Sequence, residues 1–317
     1  MTKRVLVTAT DYSRNCPDAR MQLEAEGFEV VENSFGRPMT FEELAQRVGE
    51  VDAVIAGVDT WDEAVFSIAP RLRIIARFGV GVDNIDIDAA KRHGVTVTNA
   101  PGANANAVAE LTLGLILSSM RSIPKLHNAV RRGEWDRTVG NELIGRTVGL
   151  LGFGNIAQKV ARKLSGLDVS LMAYDKFPDE DAARALDVML KDMDEVISSA
   201  DVLCMLLPSL PETKGIMDAY RFAQMKEGAI FVNTARGALV QEAALKQVLD
   251  NGHLGGAAID VYEVEPASAD NPLFSTERII TTPHTAAETW ETFEAVGAVT
   301  AQAILDLFSG SGPANRL

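Results

Sequence analysis

The sequence predicts an α/β protein with two domains, each built on an open, doubly wound parallel sheet. At 317 residues, the chain is long enough for two domains that bury separate cores. Its first third alternates apolar runs of strand length with helical patterns, which is typical of a parallel sheet. A second series of such units begins near residue 147, with a glycine-rich turn between a strand and a helix. We therefore expect two sheets formed by different parts of the chain.

The composition excludes several classes of protein. The formal charge is -14, and acids and bases are interspersed, so we expect neither a nucleic-acid nor a membrane partner. Cys16 and Cys204 lie far apart and have no metal-ligand spacing, which argues against a disulfide framework and a metal site and favours a reducing cytoplasm. The apolar run at the N-terminus is too short for a signal peptide, and no run approaches the ~18 residues of a membrane span.

The first five strands are expected in the first hundred residues: Arg4 to Ala9, Phe28 to Val31, Ala53 to Ala56, Ile74 to Ala76 and Val95 to Asn99. Pro17 opens a helix between the first two, and both Thr40 with Glu43 and Thr60 with Glu63 have the spacing of a helix capping box. None of these strands leads into a glycine-rich turn. This part therefore resembles a partner domain.

A long apolar helix, from Ala105 to about Arg121, separates the two series and must be buried. Further strands are expected near Val202 to Leu207, Ala229 to Asn233, Ala257 to Val261 and Ile279 to Thr282. From Glu288 to about Leu307 the pattern is again helical.

The glycine-rich turn has the form G-x-G-x-x-A, with Gly152, Gly154 and Ala157. The first glycine permits a tight turn, the second lets backbone N–H groups approach a pyrophosphate, and the small third residue lets helix and strand pack closely. Asp175 lies 21 residues after Gly154, at the end of the next strand, where its carboxylate can bind a ribose hydroxyl. Glycines before an apolar helix also occur in ordinary turns, but the register of strand, helix, strand and acid favours a dinucleotide site and NAD.

Three polar residues follow apolar strands of the second series: Arg236, Glu265 and His284. Ligands of open parallel sheets bind beyond the carboxyl ends of the strands. A nicotinamide enzyme that acts on a hydroxyl needs an acid/base, a group that tunes it and a cation for a carboxylate substrate. Each residue alone has a simpler explanation, because Arg and Glu after strands are usually solvated and a His is more often structural.

Four segments resemble motifs of the D-isomer-specific 2-hydroxyacid dehydrogenases: Arg77 to Asp86, Asn233 to Gly237, Asp260 to Pro266 and Thr282 to His284. The resemblance covers essentially the whole chain and is closest to the phosphoglycerate-dehydrogenase-like branch. It implies a Rossmann NAD-binding domain, residues 100–287, inserted into a flavodoxin-like substrate domain, residues 1–99 with 288–317. It also implies an oxidoreductase that transfers a hydride reversibly between NAD(H) and a small 2-hydroxy or 2-keto acid, as a cytoplasmic homodimer or a dimer-based oligomer.

The resemblance also implies roles for single residues. Arg236 would hold the substrate carboxylate and keto oxygen, His284 would be the acid/base, and Glu265 would hydrogen-bond His284 and raise its pKa. Backbone N–H groups of Gly79, Val80 and Gly81 would help to hold the carboxylate. The cofactor would contact Gly152, Gly154, Asn155, Ile156, Asp175, Pro208, Thr213, Thr234, Ala235, Arg236, Asp260, His284 and Ala286.

The chain departs from the family pattern at three places. Leu206 to Leu210 replaces an H-x-P-L-T segment, and Ala286-Ala287 replaces a glycine pair. At the end of the third strand, well-known phosphoglycerate dehydrogenases carry an Arg, whereas this chain has Ala56-Gly57-Val58. Recognition of a substrate phosphate is therefore left open.

Two other functions are compatible with these residues. One is a glyoxylate or hydroxypyruvate reductase, and the other is a corepressor-like protein that binds the dinucleotide to control its assembly. A hydrolase or a sugar-nucleotide enzyme would need a different catalytic set, which the sequence lacks. Turnover of a keto acid separates the enzymes from the binding protein.

Overall fold

The computed structural model describes residues 2–317, and the chain divides into two compact units. Unit 1 consists of residues 2–104 with Glu288–Leu317, and unit 2 consists of Ala105–Ala287. The sequence-based domain limits, after residues 99 and 287, define a substrate domain and a cofactor domain. This assignment of functions to the two domains stays a prediction.

The strands of unit 1 are β1 (Lys3–Val7), β2 (Phe28–Glu32), β3 (Ala53–Ala56), β4 (Ile74–Arg77) and β5 (Thr96–Thr98). They form one sheet of order β2-β1-β3-β4-β5 in which every neighbouring pair is parallel. This is the flavodoxin-like order that the resemblance implied.

The helices of unit 1 are α1 (Tyr12–Asn15), α2 (Pro17–Ala25), α3 (Phe41–Ala45), α4 (Glu63–Ser67), α5 (Ile87–Arg92) and the last helix of the chain, α13 (Trp290–Ser309). Two apolar clusters lie within this unit, and one of them includes Ala301 and Ile304 of α13. A Cβ at Gly297 of α13 would lie 2.9 Å from the Cys16 sulfur, so the helix packs closely on the start of α2. The last helix has no strand of its own because it completes this unit.

The strands of unit 2 are β6 (Thr147–Leu151), β7 (Ser170–Tyr174), β8 (Val188–Leu190), β9 (Val202–Met205), β10 (Ile230–Asn233), β11 (Gly256–Ile259) and β12 (Ile279–Thr281). They form a parallel sheet of order β12-β11-β10-β9-β6-β7-β8. The order reverses between β6 and β9, as in the Rossmann fold, so the carboxyl ends of these two strands mark the expected ligand position.

The helices of unit 2 are α6 (Ala105–Met120), α7 (Ile123–Arg131), α8 (Asn155–Leu164), α9 (Glu180–Ala185), α10 (Met193–Ser199), α11 (Ala219–Gln224) and α12 (Glu242–Asp250). The prediction that the long apolar helix is buried is confirmed for part of its surface: Ala109, Thr112 and Ile116 of α6 are fully buried, whereas Leu117 is 37% exposed. Two central clusters of apolar side chains form the core of the unit.

The structure corrects one local prediction and adds elements that the sequence analysis missed. The capping box of Thr40 and Glu43 is confirmed by both of its hydrogen bonds. The box expected from Thr60 is wrong, because the Asp62 carboxylate caps α4 by accepting from the Val65 N–H at 3.1 Å. A carboxylate at the N-cap position accepts from the backbone N–H three residues later, as a capping threonine would, but here the cap lies two residues after the predicted one. The strand β8 and its flanking helices were not anticipated, since β8 has only three residues.

Candidate active site

The glycine-rich turn joins β6 to α8 in unit 2. Gly152 has φ 103°, and a Cβ there would lie 2.7 Å from the Leu206 carbonyl oxygen, so only glycine fits. At Gly154, by contrast, no protein atom lies within 4 Å of where a Cβ would be. The protein itself therefore does not require glycine at this position, and the open space lies before a helix N-terminus.

Gly154 is the N-cap of α8 and provides no side-chain acceptor for the first-turn N–H groups. These donors, at Asn155 and Ile156, have no acceptor among the residues that the structure describes. A helix N-terminus that is open in this way binds a pyrophosphate through backbone donors and the helix dipole. The residues present thus fit the phosphates of a dinucleotide.

Asp175 directly follows β7, and its carboxylate joins the glycine-rich turn to the loop after β7. Its Oδ2 accepts from the Phe153 N–H at 2.7 Å, and its Oδ1 accepts from the Phe177 N–H at 2.9 Å. Each carboxylate oxygen retains a further lone pair, so the group can still accept from a ribose hydroxyl.

Pro208 and Thr213 belong to one loop after β9. The Thr213 hydroxyl donates to the Pro208 carbonyl oxygen at 2.7 Å and accepts from the Leu210 N–H at 2.8 Å. The threonine therefore closes the loop on itself beside the carboxyl end of β9.

The loop after β10 carries Thr234, Ala235 and Arg236. Its shape depends on Asn233, which is 1% exposed, donates to the Arg236 carbonyl oxygen at 3.0 Å and accepts from the Ala235 N–H at 3.0 Å. The Thr234 hydroxyl pairs with Thr112 of α6 at 2.8 Å. These contacts fix the backbone from which the Arg236 side chain extends.

Glu265 and His284 form the central contact of the site. The His284 Nδ1 and the Glu265 Oε2 are 2.6 Å apart, and the Glu265 Oε1 accepts from the Tyr262 N–H at 3.0 Å. Burial acts to raise the pKa of Glu265, but the hydrogen bonds from His284 and the Tyr262 N–H, with the nearby positive charges, outweigh it and hold this pKa below its usual value. Glu265 is therefore a carboxylate, and a carboxylate at Nδ1 leaves Nε2 of His284 for a substrate.

The turn that carries His284 is built on Asp260. This carboxylate is fully buried and accepts from the Thr282 hydroxyl at 2.6 Å and from the N–H groups of Thr285 and Ala286 at 2.9 Å. His284 itself has φ 54°, an uncommon conformation for a residue other than glycine, and its N–H donates to the Asp260 carbonyl oxygen at 2.7 Å. The buried acid thus holds the histidine in a defined orientation.

The loops of Arg236 and Glu265 are in direct contact. A Cβ at Gly237 would lie 1.9 Å from the backbone of Tyr262, so the two segments pack with no space for a side chain. The Tyr262 hydroxyl donates to the Thr282 carbonyl oxygen at 2.9 Å. Tyr262 and Gly237 lie within the family motifs, but no sequence pattern indicates these contacts, because they join residues distant in the chain.

The loop that is predicted to contact the substrate follows β4 in unit 1. The backbone carbonyl oxygens of residues 78–81 all accept hydrogen bonds within the unit. The Arg77 side chain donates to the oxygens of Phe78 and Gly81. The Ala100 N–H donates to the Gly79 oxygen, and the Asn99 side-chain amide donates to the Val80 oxygen. The Gly79 N–H donates to the Arg77 carbonyl oxygen at 2.8 Å. The N–H groups of Val80 and Gly81 have no acceptor among residues 2–317.

The structure thus brings Arg236, Glu265 and His284 onto neighbouring loops of unit 2, and it places the Gly79 to Gly81 loop in unit 1. In the part of the chain that the structure describes, no group of three or more His, Cys, Asp or Glu is arranged to hold a metal ion. No helix of residues 2–317 has both the length and the apolar character needed to cross a bilayer.

The fold and the site define a dinucleotide-binding α/β protein with a histidine and carboxylate pair. Residues 113–286 match the model of the D-isomer specific 2-hydroxyacid dehydrogenase NAD binding domain. The chain therefore belongs to this family, and its cofactor is NAD.

Similar proteins agree with this assignment. The chain is 41% identical over 275 residues to D-3-phosphoglycerate dehydrogenase of Archaeoglobus fulgidus, a match that covers 86% of this chain and 52% of that protein. The chain spans about half the length of the curated relatives that it matches first.

Two solved structures resemble the whole chain. The TT0316 protein from Thermus thermophilus has a TM-score of 0.91 and 34% identity, with 99% of both chains covered. The NAD-dependent formate dehydrogenase from Staphylococcus aureus, in complex with NAD, has a TM-score of 0.86 and 28% identity, with 98% of this chain and 96% of that chain covered.

Proposed function

We propose that the protein is an NAD-dependent dehydrogenase of small D-2-hydroxy acids that also reduces the corresponding 2-keto acids. The observation that carries this proposal is the 2.6 Å contact between His284 and Glu265 in the unit that binds NAD. In this proposal, residues 100–287 form the cofactor domain, and residues 1–99 with 288–317 form the substrate domain.

The cofactor supplies the hydride when it is bound. During reduction of a keto acid, the protonated His284 donates its Nε2 proton to the carbonyl oxygen, and in the reverse direction it accepts that proton from the hydroxyl. Glu265 holds Nδ1 and stabilises the imidazolium, because an adjacent carboxylate favours the charged ring. The two residues therefore act as one proton-transfer unit.

The substrate carboxylate needs a cation and hydrogen-bond donors. Arg236 offers a guanidinium, which binds a carboxylate through two parallel hydrogen bonds. The N–H groups of Val80 and Gly81 lack acceptors within residues 2–317, which supports a role as further carboxylate donors. Gly79 would contribute its conformation, because its own N–H already donates to Arg77.

The end of β3 bears on whether the substrate carries a phosphate. A Cβ at Gly57 would lie 3.2 Å from both the Ala9 backbone and the Asp59 Oδ2. Asp59 is 2% exposed, and burial raises its pKa, although hydrogen bonds from Thr8 and the Met39 N–H lower it again in part. This strand end thus holds an acid close to the position where well-known phosphoglycerate dehydrogenases carry an Arg. We infer that unphosphorylated keto acids are used at least as well as phosphorylated ones.

The proposal is tested by following NADH absorbance with a panel of 2-keto acids, including glyoxylate, hydroxypyruvate and phosphohydroxypyruvate, at one pH and salt concentration. We expect oxidation of NADH with at least one small keto acid. A preference for the phosphorylated substrate of ~10²-fold or more would identify a phosphate site and contradict our inference about β3. No oxidation with any member of the panel, despite NADH binding, would favour the corepressor-like alternative.

We further propose that the protein forms a homodimer through α7 and the loop that follows it. Ala129 is the buried residue of α7, while Ile123 and Val130 are 50% and 55% exposed. In the loop, Trp135 and Val139 are 83% and 92% exposed. Large apolar side chains exposed on one helix and on the loop that follows it are typical of a protein interface, and most soluble oligomers are built from copies of one chain.

Light scattering tests the dimer. The wild type should have twice the mass of one chain, and Trp135→Ala with Val139→Ser should raise the dimer dissociation constant at least ~10-fold, because large aromatic residues dominate interfaces. The matched control is Trp290→Ala, because Trp290 is also an exposed tryptophan, at 63%, but lies in α13. This variant should leave the mass unchanged. A monomeric wild type would refute the proposal.

We propose a cytoplasmic location. Both cysteines are free and buried, and burial raises the pKa of each thiol to about 12. Free thiols without disulfides are typical of a reducing compartment. Fluorescence microscopy of the tagged protein tests this location.

A further inference from the structure

Glu242 is a buried acid that the proposed chemistry does not use. It is the first residue of α12, six residues after Arg236, and it is 8% exposed. A buried carboxylate is unfavourable unless its oxygens are hydrogen-bonded, so the partners of this side chain indicate what it does.

The side chain of Glu242 bonds to the segment before Glu265. Its Oε1 accepts from the Glu263 N–H at 2.8 Å, and its own N–H donates to the Glu263 Oε1 at 2.8 Å. Its Oε2 accepts from the Asn271 side-chain amide at 2.8 Å. The acid therefore joins the start of α12 to two points on the chain that surrounds Glu265.

This connection reaches the histidine and carboxylate pair through Tyr262. Glu263 follows Tyr262, whose N–H binds Glu265 and whose hydroxyl binds the Thr282 carbonyl two residues before His284. On the other side, Gly237 packs directly on the backbone of Tyr262 and Glu263. Glu242 thus closes a ring that includes the loops of all three proposed catalytic residues.

We propose that Glu242 is a positioning residue, which holds the Tyr262 to Glu265 segment so that Glu265 stays on Nδ1 of His284. This inference rests on the proposed function. Glu242 touches neither Glu265 nor His284 in the structure's hydrogen-bond network, so it acts through the Glu263 backbone. Small displacements of a catalytic group reduce the rate strongly, by up to ~10² for about 1 Å.

The test exploits the direction of the hydrogen bonds. In Glu242→Gln the side chain keeps one oxygen acceptor, and an NH₂ group replaces the other oxygen. This NH₂ group faces another donor, either the Glu263 N–H or the Asn271 amide, so no hydrogen bond forms there. In the double variant Glu242→Gln/Asn271→Asp, the new NH₂ group donates to the new carboxylate. The carboxylate introduced at position 271 can also keep the existing bond to the Leu273 N–H.

For Glu242→Gln, we expect kcat for keto-acid reduction to fall about 10-fold. The midpoint of the pH profile of kcat/KM should move to lower pH, because a displaced Glu265 stabilises the imidazolium less. The KM for NADH should stay within about twofold. The double variant should recover the wild-type midpoint. Glu227→Gln, which changes an exposed acid of the same unit, should behave as the wild type.

A loss of thermal stability in Glu242→Gln with an unchanged pH midpoint would overturn the proposal, since it would indicate a structural role only. If Glu242→Gln does not fold, Asn271→Ala removes one of the three bonds and should move the midpoint in the same direction by a smaller amount. An unchanged midpoint there would also overturn it.

Hydrogen exchange separates this proposal from the proposed function. The amides of Tyr262 and Glu263 should be protected in the wild type, exposed in Glu242→Gln and protected again in the double variant. This result would stand even if no keto acid were reduced, in which case the proposed function fails and the positioning contact remains. Equal protection in all three proteins would refute the contact itself.

Discussion

Glu265 has two hydrogen-bond partners that favour its charged form, the His284 ring and the Tyr262 N–H. Its pKa in the folded protein lies below the usual value of 4.5. A carboxyl with a lowered folded pKa stabilises the fold above its unfolded pKa, and this contribution is lost as the pH falls through the folded value.

We therefore expect Glu265→Gln to lower the melting temperature at about pH 7, and we expect this effect to shrink as the pH falls below the usual carboxyl pKa of 4.5. The free energy of unfolding should differ between the two proteins by under about 1 kcal/mol, since the Glu265 side chain is 35% exposed and solvent screens its charge. Thermal unfolding at several pH values measures it, with the exposed Glu277→Gln as the control. A difference that grows towards acid pH would have the wrong sign for our account.

We predict that Asp175 determines the choice between the two nicotinamide dinucleotides. Its carboxylate would repel the extra phosphate of NADP and lose a hydrogen bond to the ribose hydroxyl, so we expect NAD to be preferred well above tenfold in kcat/KM. Asp175→Asn keeps an oxygen acceptor and should reduce this preference. Lys176→Met should not reduce it, because Lys176 already lies 3.7 Å from Glu212. Equal use of both cofactors by the wild type would contradict this role.

At the scale of elements, the turn between β6 and α8 distinguishes a glycine needed by the fold from one needed by a ligand. Gly152→Ala introduces a clash with the Leu206 carbonyl at a positive φ and should destabilise the protein by roughly 1–3 kcal/mol. Gly154→Ala meets no protein atom and should cost below about 1 kcal/mol. It should nevertheless weaken NADH binding, which a fluorescence titration measures. Undiminished NADH affinity in Gly154→Ala would argue against a pyrophosphate at this turn.

The loop after β4 is shaped by Arg77, whose guanidinium donates to the carbonyl oxygens of Phe78 and Gly81 and to that of Ala56 at 3.3 Å. Arg77→Met should raise KM about 10-fold. The factor should be the same for phosphorylated and unphosphorylated keto acids, because the loop would bind the carboxylate that they share. Arg73→Met, at the opposite end of β4, is the control. An effect confined to the phosphorylated substrate would show that Arg77 binds a phosphate instead.

The elements also show which features a sequence reveals. The parallel sheets, the fingerprint and the buried helix α6 were predictable, because periodicity and glycine spacing are local properties of the chain. The cap of α4 was misassigned because Thr60 and Asp62 both offer an acceptor near the same N-terminus, and only the backbone geometry decides between them.

At the scale of the whole molecule, the sequence identified the proposed catalytic residues through motifs, but it could not show how they are held. The contacts of Asp260 with the His284 turn, and of Glu242 with Glu263, join residues that are more than 20 positions apart. Only the folded chain brings such groups together. The return of α13 to unit 1 was implied by the family resemblance, and the close packing of Gly297 on Cys16 gives its physical basis.

The central claim is that His284 and Glu265 act as one proton-transfer unit. It is tested most directly by kcat/KM for keto-acid reduction in the wild type, in His284→Ala, in Glu265→Ala and in the double variant, with NADH affinity measured alongside. We predict a loss of about 10² or more for His284→Ala and no further loss in the double variant, because both changes remove the same proton transfer. Near wild-type turnover by His284→Ala, or losses that multiply in the double variant, would contradict the account.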